Sequence, residues 1–73
     1  MSDAAEEVRV RVNGELRAFA PETRVADLLA SLGVSTPRVA VEYNREILAK
    51  GEYEATVLRE GDELEVVTFV GGG

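Results

Sequence analysis

The sequence contains neither cysteine nor histidine among its 73 residues. The lack of cysteine excludes a disulfide framework, a thiolate nucleophile and a thiolate-ligated metal. The lack of histidine removes the usual general base at neutral pH and the commonest imidazole ligand. The chain therefore lacks the side chains on which most catalytic and metal sites are built.

Long apolar runs are missing as well, and no segment approaches the length that spans a membrane. Residues 1–7 carry acidic side chains where a secretory signal would carry basic ones, and no apolar stretch follows them. We expect these seven residues to form a flexible leader and residues 8–70 to form one small domain. The protein is expected to be soluble and cytoplasmic.

Basic residues are few, with 8 Lys and Arg against 14 Asp and Glu, so the formal net charge is −6. Lys50 is the only lysine, which leaves the chain poorly equipped to build lysine-linked polymers of itself. The acidic balance disfavours binding to nucleic-acid phosphates. It favours solubility, and it also suits a partner with a basic face.

The first elements that are present form a hairpin. A strand with alternating apolar and charged residues leads into Asn13 and Gly14, a pair that is typical of hairpin turns. A loop of two residues would set Val12 opposite Glu15, whereas a loop of three would set Val12 opposite Leu16. We expect the three-residue loop, with Gly14 in the left-handed conformation, because it pairs apolar residues with apolar residues.

One helix is predicted after the hairpin. Thr23 is the expected N-cap, with Glu22 placed favourably for the helix dipole, and Gly33 is the expected C-cap. Apolar residues at helical spacing form one stripe that is expected to pack on the sheet: Val25, Leu28, Leu29 and Leu32.

Two further strands are predicted over residues 39–43 and 63–70, separated by a segment without a clear period. In that segment Ile47 and Leu48 are expected to fill part of the core. One helix can cover one face of a mixed sheet of four to five strands, which is a two-layer α+β fold. With the first and last strands parallel at the centre, this is the arrangement of the ubiquitin-like β-grasp.

Three glycines, Gly71, Gly72 and Gly73, end the sequence. A tail without side chains cannot pack, and we expect it to be flexible. It can enter a groove that is too narrow for other residues, and its terminal carboxylate is open to an attacking group. Taken alone, the same tail is compatible with a frayed terminus.

Four segments together resemble the ThiS family, the sulfur carriers of thiamin biosynthesis: residues 39–47 (VAVEYNREI), 53–58 (YEATVL), 60–67 (EGDELEVV) and 69–73 (FVGGG). The resemblance covers nearly all of residues 8–73 and is densest from residue 39 onward. The Gly-Asp turn, the strand of acids and valines and the terminal glycines are specific in combination, although none is specific alone.

The resemblance implies that Gly73 carries the sulfur and that Gly71 and Gly72 form the threading segment. In the family, a ubiquitin-activating-like adenylyltransferase of the ThiF type adenylates the terminal carboxylate with MgATP. Sulfur from a cysteine-desulfurase persulfide, or from another persulfide donor, then replaces AMP and gives a C-terminal thiocarboxylate. A thiazole synthase of the ThiG type receives the sulfur. The chain would then be a protein-sized cosubstrate with no stably bound cofactor or metal, and not an enzyme.

Other functions fit the same tail. Related carriers use this chemistry for molybdopterin, for tRNA thiolation or for cysteine synthesis. A protein modifier that is joined to lysines of its targets would also end in glycine. A plain interaction module would not need the tail at all.

Apolar residues beside the tail are the candidates for partner docking: Phe69, Val67 and Val70. We expect Phe69 on the helix-free face of the sheet, where it would serve as a docking handle for the adenylating enzyme or the synthase. The alternative is that Phe69 folds over the sheet edge and packs.

Charged residues near the last strand allow two interpretations, a surface for a basic partner or a solvated face. The acidic members are Glu60, Asp62, Glu63 and Glu65. The basic residues Arg9, Arg11 and Arg17 could form a small basic stripe, but we expect them to pair with acids across strands.

Overall fold

The computed structural model describes residues 7–34 and 38–69. Most of the predicted leader, the connecting Pro37 and all of the predicted tail lie outside these residues. The division into leader, domain and tail therefore stays a prediction.

The described chain forms a five-stranded mixed sheet with one α-helix. The elements are β1 (Val8–Val12), β2 (Glu15–Phe19), α1 (Val25–Leu32), β3 (Val39–Tyr43), β4 (Glu46–Leu48), a 3-10 helix (Lys50–Glu52) and β5 (Glu63–Thr68). The strand order is β2-β1-β5-β3-β4, with β1 and β5 parallel and every other pair antiparallel. The predicted α+β architecture and its central parallel pair are confirmed. No helix of the described residues has the length and apolar character needed to cross a bilayer.

The core lies between α1 and one face of the sheet. The predicted helical stripe is confirmed, since Val25, Leu28 and Leu29 are buried and Leu32 is partly buried. The sheet contributes one residue in two, as a period of two requires: Val10 and Val12 from β1, Val39 and Val41 from β3, and Leu64 and Val66 from β5. Tyr53 and Leu58 close the core beneath the chain that crosses back to β5.

The predicted register of the first hairpin is wrong. Val12 pairs with Glu15, so the loop has two residues, and both Asn13 (φ 51°) and Gly14 (φ 85°) are left-handed. The prediction assumed that the apolar residues of β2 pair with the apolar residues of β1 on one buried face. As an edge strand, β2 is exposed on both faces up to its last residue, and Leu16 is 60% exposed. Pairing Leu16 with Val12 would therefore bury little, and the turn geometry decides the register.

The predicted N-cap of α1 is wrong by one residue. Arg24 occupies the N-cap, and its backbone N–H donates to Asp27 Oδ2 at 3.0 Å. The first two helical N–H groups, of Val25 and Ala26, donate to carbonyls in residues 53–56, each at 2.9 Å. A capping hydroxyl is unnecessary because a distant segment satisfies these donors. The predicted C-cap is confirmed, with Gly33 at φ 76°.

The segment after β3 was expected to be irregular, but it begins with a second hairpin. Asn44 and Arg45 form its two-residue loop with φ of 51° and 74°, and β4 then pairs with β3. Leu48 packs against the core as predicted. Ile47 does not, because the register with β3 turns it to the helix-free face, where it is 72% exposed.

Candidate functional site

The candidate site lies where β5 leaves the sheet. Thr68 is the last strand residue and pairs with Val39. The backbone N–H of Phe69 then donates to the carbonyl of Arg38 at 2.8 Å, which fixes the direction of the chain one residue further. The chain therefore leaves the sheet from β5, its central strand, and not from a loop.

Of the predicted docking residues, two are described and both are exposed. Val67 is 54% exposed and Phe69 is 55% exposed. Val67 shares the helix-free face with Ala40, its partner on β3, whereas the neighbouring Val66 is in the core. Their role in docking stays a prediction. Val70 and the tail glycines, Gly71, Gly72 and Gly73, lie outside the described residues.

The start of β5 is anchored by the buried carboxylate of Asp62, which is 8% exposed. Its Oδ2 accepts the hydroxyl of Tyr43 at 2.5 Å and the backbone N–H of Arg59 at 2.8 Å, and its Oδ1 accepts the amide of Asn44 at 3.1 Å. Asp62 is thus neither a solvated turn residue nor a free contact for a partner. It joins the β3–β4 turn to the turn before β5.

The pKa of the Tyr43 hydroxyl is clearly displaced. Burial raises the pKa of Tyr43 to about 12, and the hydrogen bond to Asp62 and the negative charge of its carboxylate act in the same direction. The positive charge of Arg59 opposes them. The phenol therefore keeps its proton, and so its role as the donor to Asp62, well beyond neutral pH.

This shift predicts a loss of stability in base. The ordinary pKa of Tyr43 is 10.0, so between about pH 10 and about pH 12 the folded chain binds more protons than the unfolded chain. The free energy of unfolding should therefore fall across this window. Tyr43→Phe should show a shallower fall, measured by urea unfolding at a series of pH values. Parallel curves for the two proteins would contradict the assignment.

Two turn asparagines hold β5 from either side. The side chain of Asn13 accepts the N–H of Val66 at 2.7 Å and donates to the Val66 carbonyl at 3.2 Å, so it extends the β1–β5 ladder beyond Val12. On the other side, Asn44 Oδ1 accepts the N–H of Glu63 at 2.9 Å. Both asparagines also supply a left-handed turn position. The strand that leads to the tail is thereby fixed along its length.

Among the other charged residues, the expected ion pairs across strands are not found in the part of the chain that the structure describes. Arg9 pairs with Glu60 at 3.2 Å, and Arg17 pairs with Glu15, two residues away on the same strand, at 3.3 Å. All four side chains are largely exposed, so these pairs contribute little stability. Lys50 donates from Nζ to the Val39 carbonyl at 2.7 Å. Within residues 7–34 and 38–69, no three acidic side chains are placed to hold a metal ion.

Sequence reasoning missed a groove on the helix-free face. It is lined by three apolar side chains, Ala40, Ile47 and Val67, and by acidic side chains that include Glu42 and Glu65. The signal was weak, because Ile47 and Leu48 are adjacent apolar residues in a three-residue strand. Only the register with β3 shows which of them points away from the core.

Comparisons of the sequence and of the fold with known proteins point to the same family. The model of the ThiS family matches residues 10–73. The thiazole synthases of Paramagnetospirillum magneticum and Magnetococcus marinus are 44% and 41% identical over 66 residues, which is 90% of this chain and 20% of each of theirs. The chain therefore spans a fifth of the length of these two relatives.

Two matches extend over nearly the full length of the other protein. The sulfur carrier protein ThiS of Bacillus subtilis is 38% identical over 65 residues, covering 88% of this chain and 98% of that one. The crystal structure of the thiamine biosynthesis protein ThiS from Geobacter metallireducens is 35% identical, with a TM-score of 0.75, and covers 90% of this chain and 100% of that one. Sequence and β-grasp fold thus agree, and the chain belongs to the ThiS family.

Proposed function

We propose that this chain is a sulfur carrier that donates sulfur for thiazole formation in thiamin biosynthesis. The carboxylate of Gly73 attacks the α-phosphorus of MgATP in the adenylating enzyme, and pyrophosphate leaves. The terminal sulfur of a protein persulfide displaces AMP from the acyl-adenylate. A thiol then cleaves the sulfur–sulfur bond and leaves a thiocarboxylate on Gly73.

The observation that carries the proposal is a strand, held by side-chain hydrogen bonds, that is separated by two residues from three glycines in a member of the ThiS family. Two turn asparagines and Asp62 fix β5 in the sheet. Gly71 and Gly72 would thread into the partner, because they present no side chain to a narrow channel. A fixed base and a thin tail suit the delivery of a terminal group.

In this proposal the enzymes supply the catalytic groups. The chain contributes the surface that the enzymes bind, the carboxyl group from which AMP leaves and the tether for the sulfur. It therefore acts as a cosubstrate. An acyl thiocarboxylate is nucleophilic at neutral pH, and its tether avoids the release of free sulfide. The thiazole synthase is the proposed acceptor, in keeping with the two relatives that bear that name.

The pathway is tested by following labelled sulfur. The chain would be loaded with radioactive sulfur, purified, and incubated with a thiazole synthase and its other substrates. Label in the thiazole product supports the proposal. Loading without transfer to thiazole, but with transfer to molybdopterin or tRNA by their own enzymes, would move the chain to a related pathway. Covalent attachment of the chain itself to lysines of other proteins, with or without labelled sulfur, would identify a modifier instead.

Phe69→Ala is expected to weaken binding to the adenylating enzyme or the thiazole synthase by roughly 5- to 30-fold, as loss of an aromatic anchor does. Leu16→Ala is the matched control, since Leu16 is 60% exposed but lies on the far edge strand. Binding would be measured by calorimetry and folding by thermal unfolding. Equal affinities for wild type and Phe69→Ala with both enzymes would remove Phe69 from the interface. A large loss of stability would instead mean that its ring packs.

A further inference from the structure

The helix-free face of β3, β4 and β5 carries a groove whose exposed apolar side chains do not contribute to the core. Ile47 and Val67 are 72% and 54% exposed, and Ala40 lies beside Val67 across the β3–β5 pair. The groove is also lined by Glu42, Glu63 and Glu65, by Arg45 and by Val41, and we call these eight residues the acidic groove. Exposed apolar side chains within a charged rim are the composition of an interface centre with its border.

The carboxylates of the acidic groove are arranged at a cost to the fold. Glu42 on β3 is the direct register partner of Glu65 on β5, so two negative side chains face each other on the same side of the sheet. Like charges directly opposite in an antiparallel pair are destabilising. A threonine or valine at either position would pack better on a sheet. Nothing in the described core gains from this pair.

No described arginine or lysine forms an ion pair with Glu42 or Glu65. Among the described residues, the ion pairs join Arg9 to Glu60 and Arg17 to Glu15, and neither includes Glu42 or Glu65. Arg11 on β1 is the register partner of Glu63, and β5 separates it from Glu42 on β3. Arg45 lines the groove but makes no ion pair with it. Both carboxylates are therefore available to a cation from a partner.

We propose that the acidic groove binds a protein partner through an apolar side chain flanked by arginine or lysine. The apolar side chain would pack on Ile47 and Val67, and a basic group would lie between Glu42 and Glu65. This rests on the proposed function, because the groove follows β5 from Glu63 to Val67 and so ends two residues before Phe69, the last described residue before the tail. A partner seated on the groove would therefore lie close to the end of β5.

The first test needs no partner. Glu42→Gln should raise the melting temperature by about 2–4 °C, because it removes the like-charge contact. The matched control is Glu54→Gln, an exposed residue that is outside the groove. The control should leave the melting temperature unchanged. A Glu42→Gln protein that is equally or less stable would mean that the pair carries no strain, and would overturn the premise.

The second test measures binding to the adenylating enzyme and to the thiazole synthase. Glu42→Gln with Glu65→Gln should weaken binding to at least one of them by about tenfold and reduce its salt dependence. The control, Glu52→Gln with Glu54→Gln, has the same net charge and two exposed positions away from the groove. It should bind as the wild type does. Ile47→Ala should also weaken binding without lowering the melting temperature.

Two outcomes separate this inference from the proposed function. If the wild type binds and accepts sulfur but the groove and control variants bind equally well, the groove assignment is wrong and the carrier function stands. If the wild type binds neither enzyme, the carrier function fails and the assignment fails with it. Equal weakening by both double variants would show a general charge effect and would also overturn the assignment.

Discussion

A chain extended by one alanine after Gly73 is expected to lose sulfur loading by at least about 100-fold, with no change in thermal stability. The added residue moves the terminal carboxylate by about 3.5 Å. Attack requires the reacting atoms to approach within about 3–3.5 Å in alignment, and a misplacement of about 1 Å can cost two orders of magnitude. The alanine also brings a Cβ into a channel that we propose is sized for glycine.

Deletion of Gly73 should have the same effect, because the carboxylate then stops one residue short. Loading would be measured by mass spectrometry after incubation with the adenylating enzyme, MgATP and a persulfide donor. The control is an alanine added before Met1, at the other end of the chain, which should load normally. Normal loading of the C-terminally extended chain, with the alanine shown to be still present, would contradict the mechanism.

Asp62→Ala is expected to cause a large loss of stability, about 3 kcal/mol. The substitution leaves three donors without their acceptor: the hydroxyl of Tyr43, the amide of Asn44 and the backbone N–H of Arg59. A buried polar group that loses its partner costs about 1–3 kcal/mol, and partial access to water offsets some of this sum. In a domain of this size each 1 kcal/mol shifts the melting temperature by about 4–8 °C.

Urea unfolding would measure this change, with Glu54→Ala as the control for the loss of an exposed carboxylate. The control should change the free energy of unfolding by less than about 0.5 kcal/mol. A similarly small change for Asp62→Ala would show that the turn before β5 does not depend on this carboxylate. Such a result would also weaken the view that β5 is held rigidly for the tail.

The parts of the fold that were predicted correctly are those where burial repeats with a regular period. The stripe of Val25, Leu28 and Leu29 could be placed because a helix buries every third or fourth residue. Strand β3 was placed at its observed bounds for the same reason, with Val39 and Val41 alternating into the core. The local sequence pattern is sufficient to place an element when one face of that element is buried in the core.

The errors arose where distant residues decide a local conformation. Because both faces of β2 are exposed, the turn decides the register of β2. The argument that Leu16 should pair with an apolar residue was therefore wrong. Thr23 was displaced as the N-cap because carbonyls some thirty residues further along accept the first helical N–H groups. The second hairpin was missed because Arg45, and not glycine, holds its left-handed position.

Some parts of the candidate site could likewise be predicted from the sequence, and others could not. The resemblance to the ThiS family implied a functional tail, and the sequence named Val67 and Phe69 as docking candidates, both of which are exposed. The acidic groove could not be predicted, because the opposition of Glu42 and Glu65 and the outward position of Ile47 follow from the registers of three strands. Asp62 was likewise grouped with the surface acids, since nothing local indicates its three donors.

The measurement that tests the central claim most directly is the intact mass of this chain after incubation with the adenylating enzyme, MgATP and a persulfide donor. The account predicts a shift equal to the replacement of one oxygen by one sulfur, and fragmentation should map it to Gly73. An unchanged mass, with the same enzymes shown to load another ThiS protein, would contradict the claim that this chain carries sulfur.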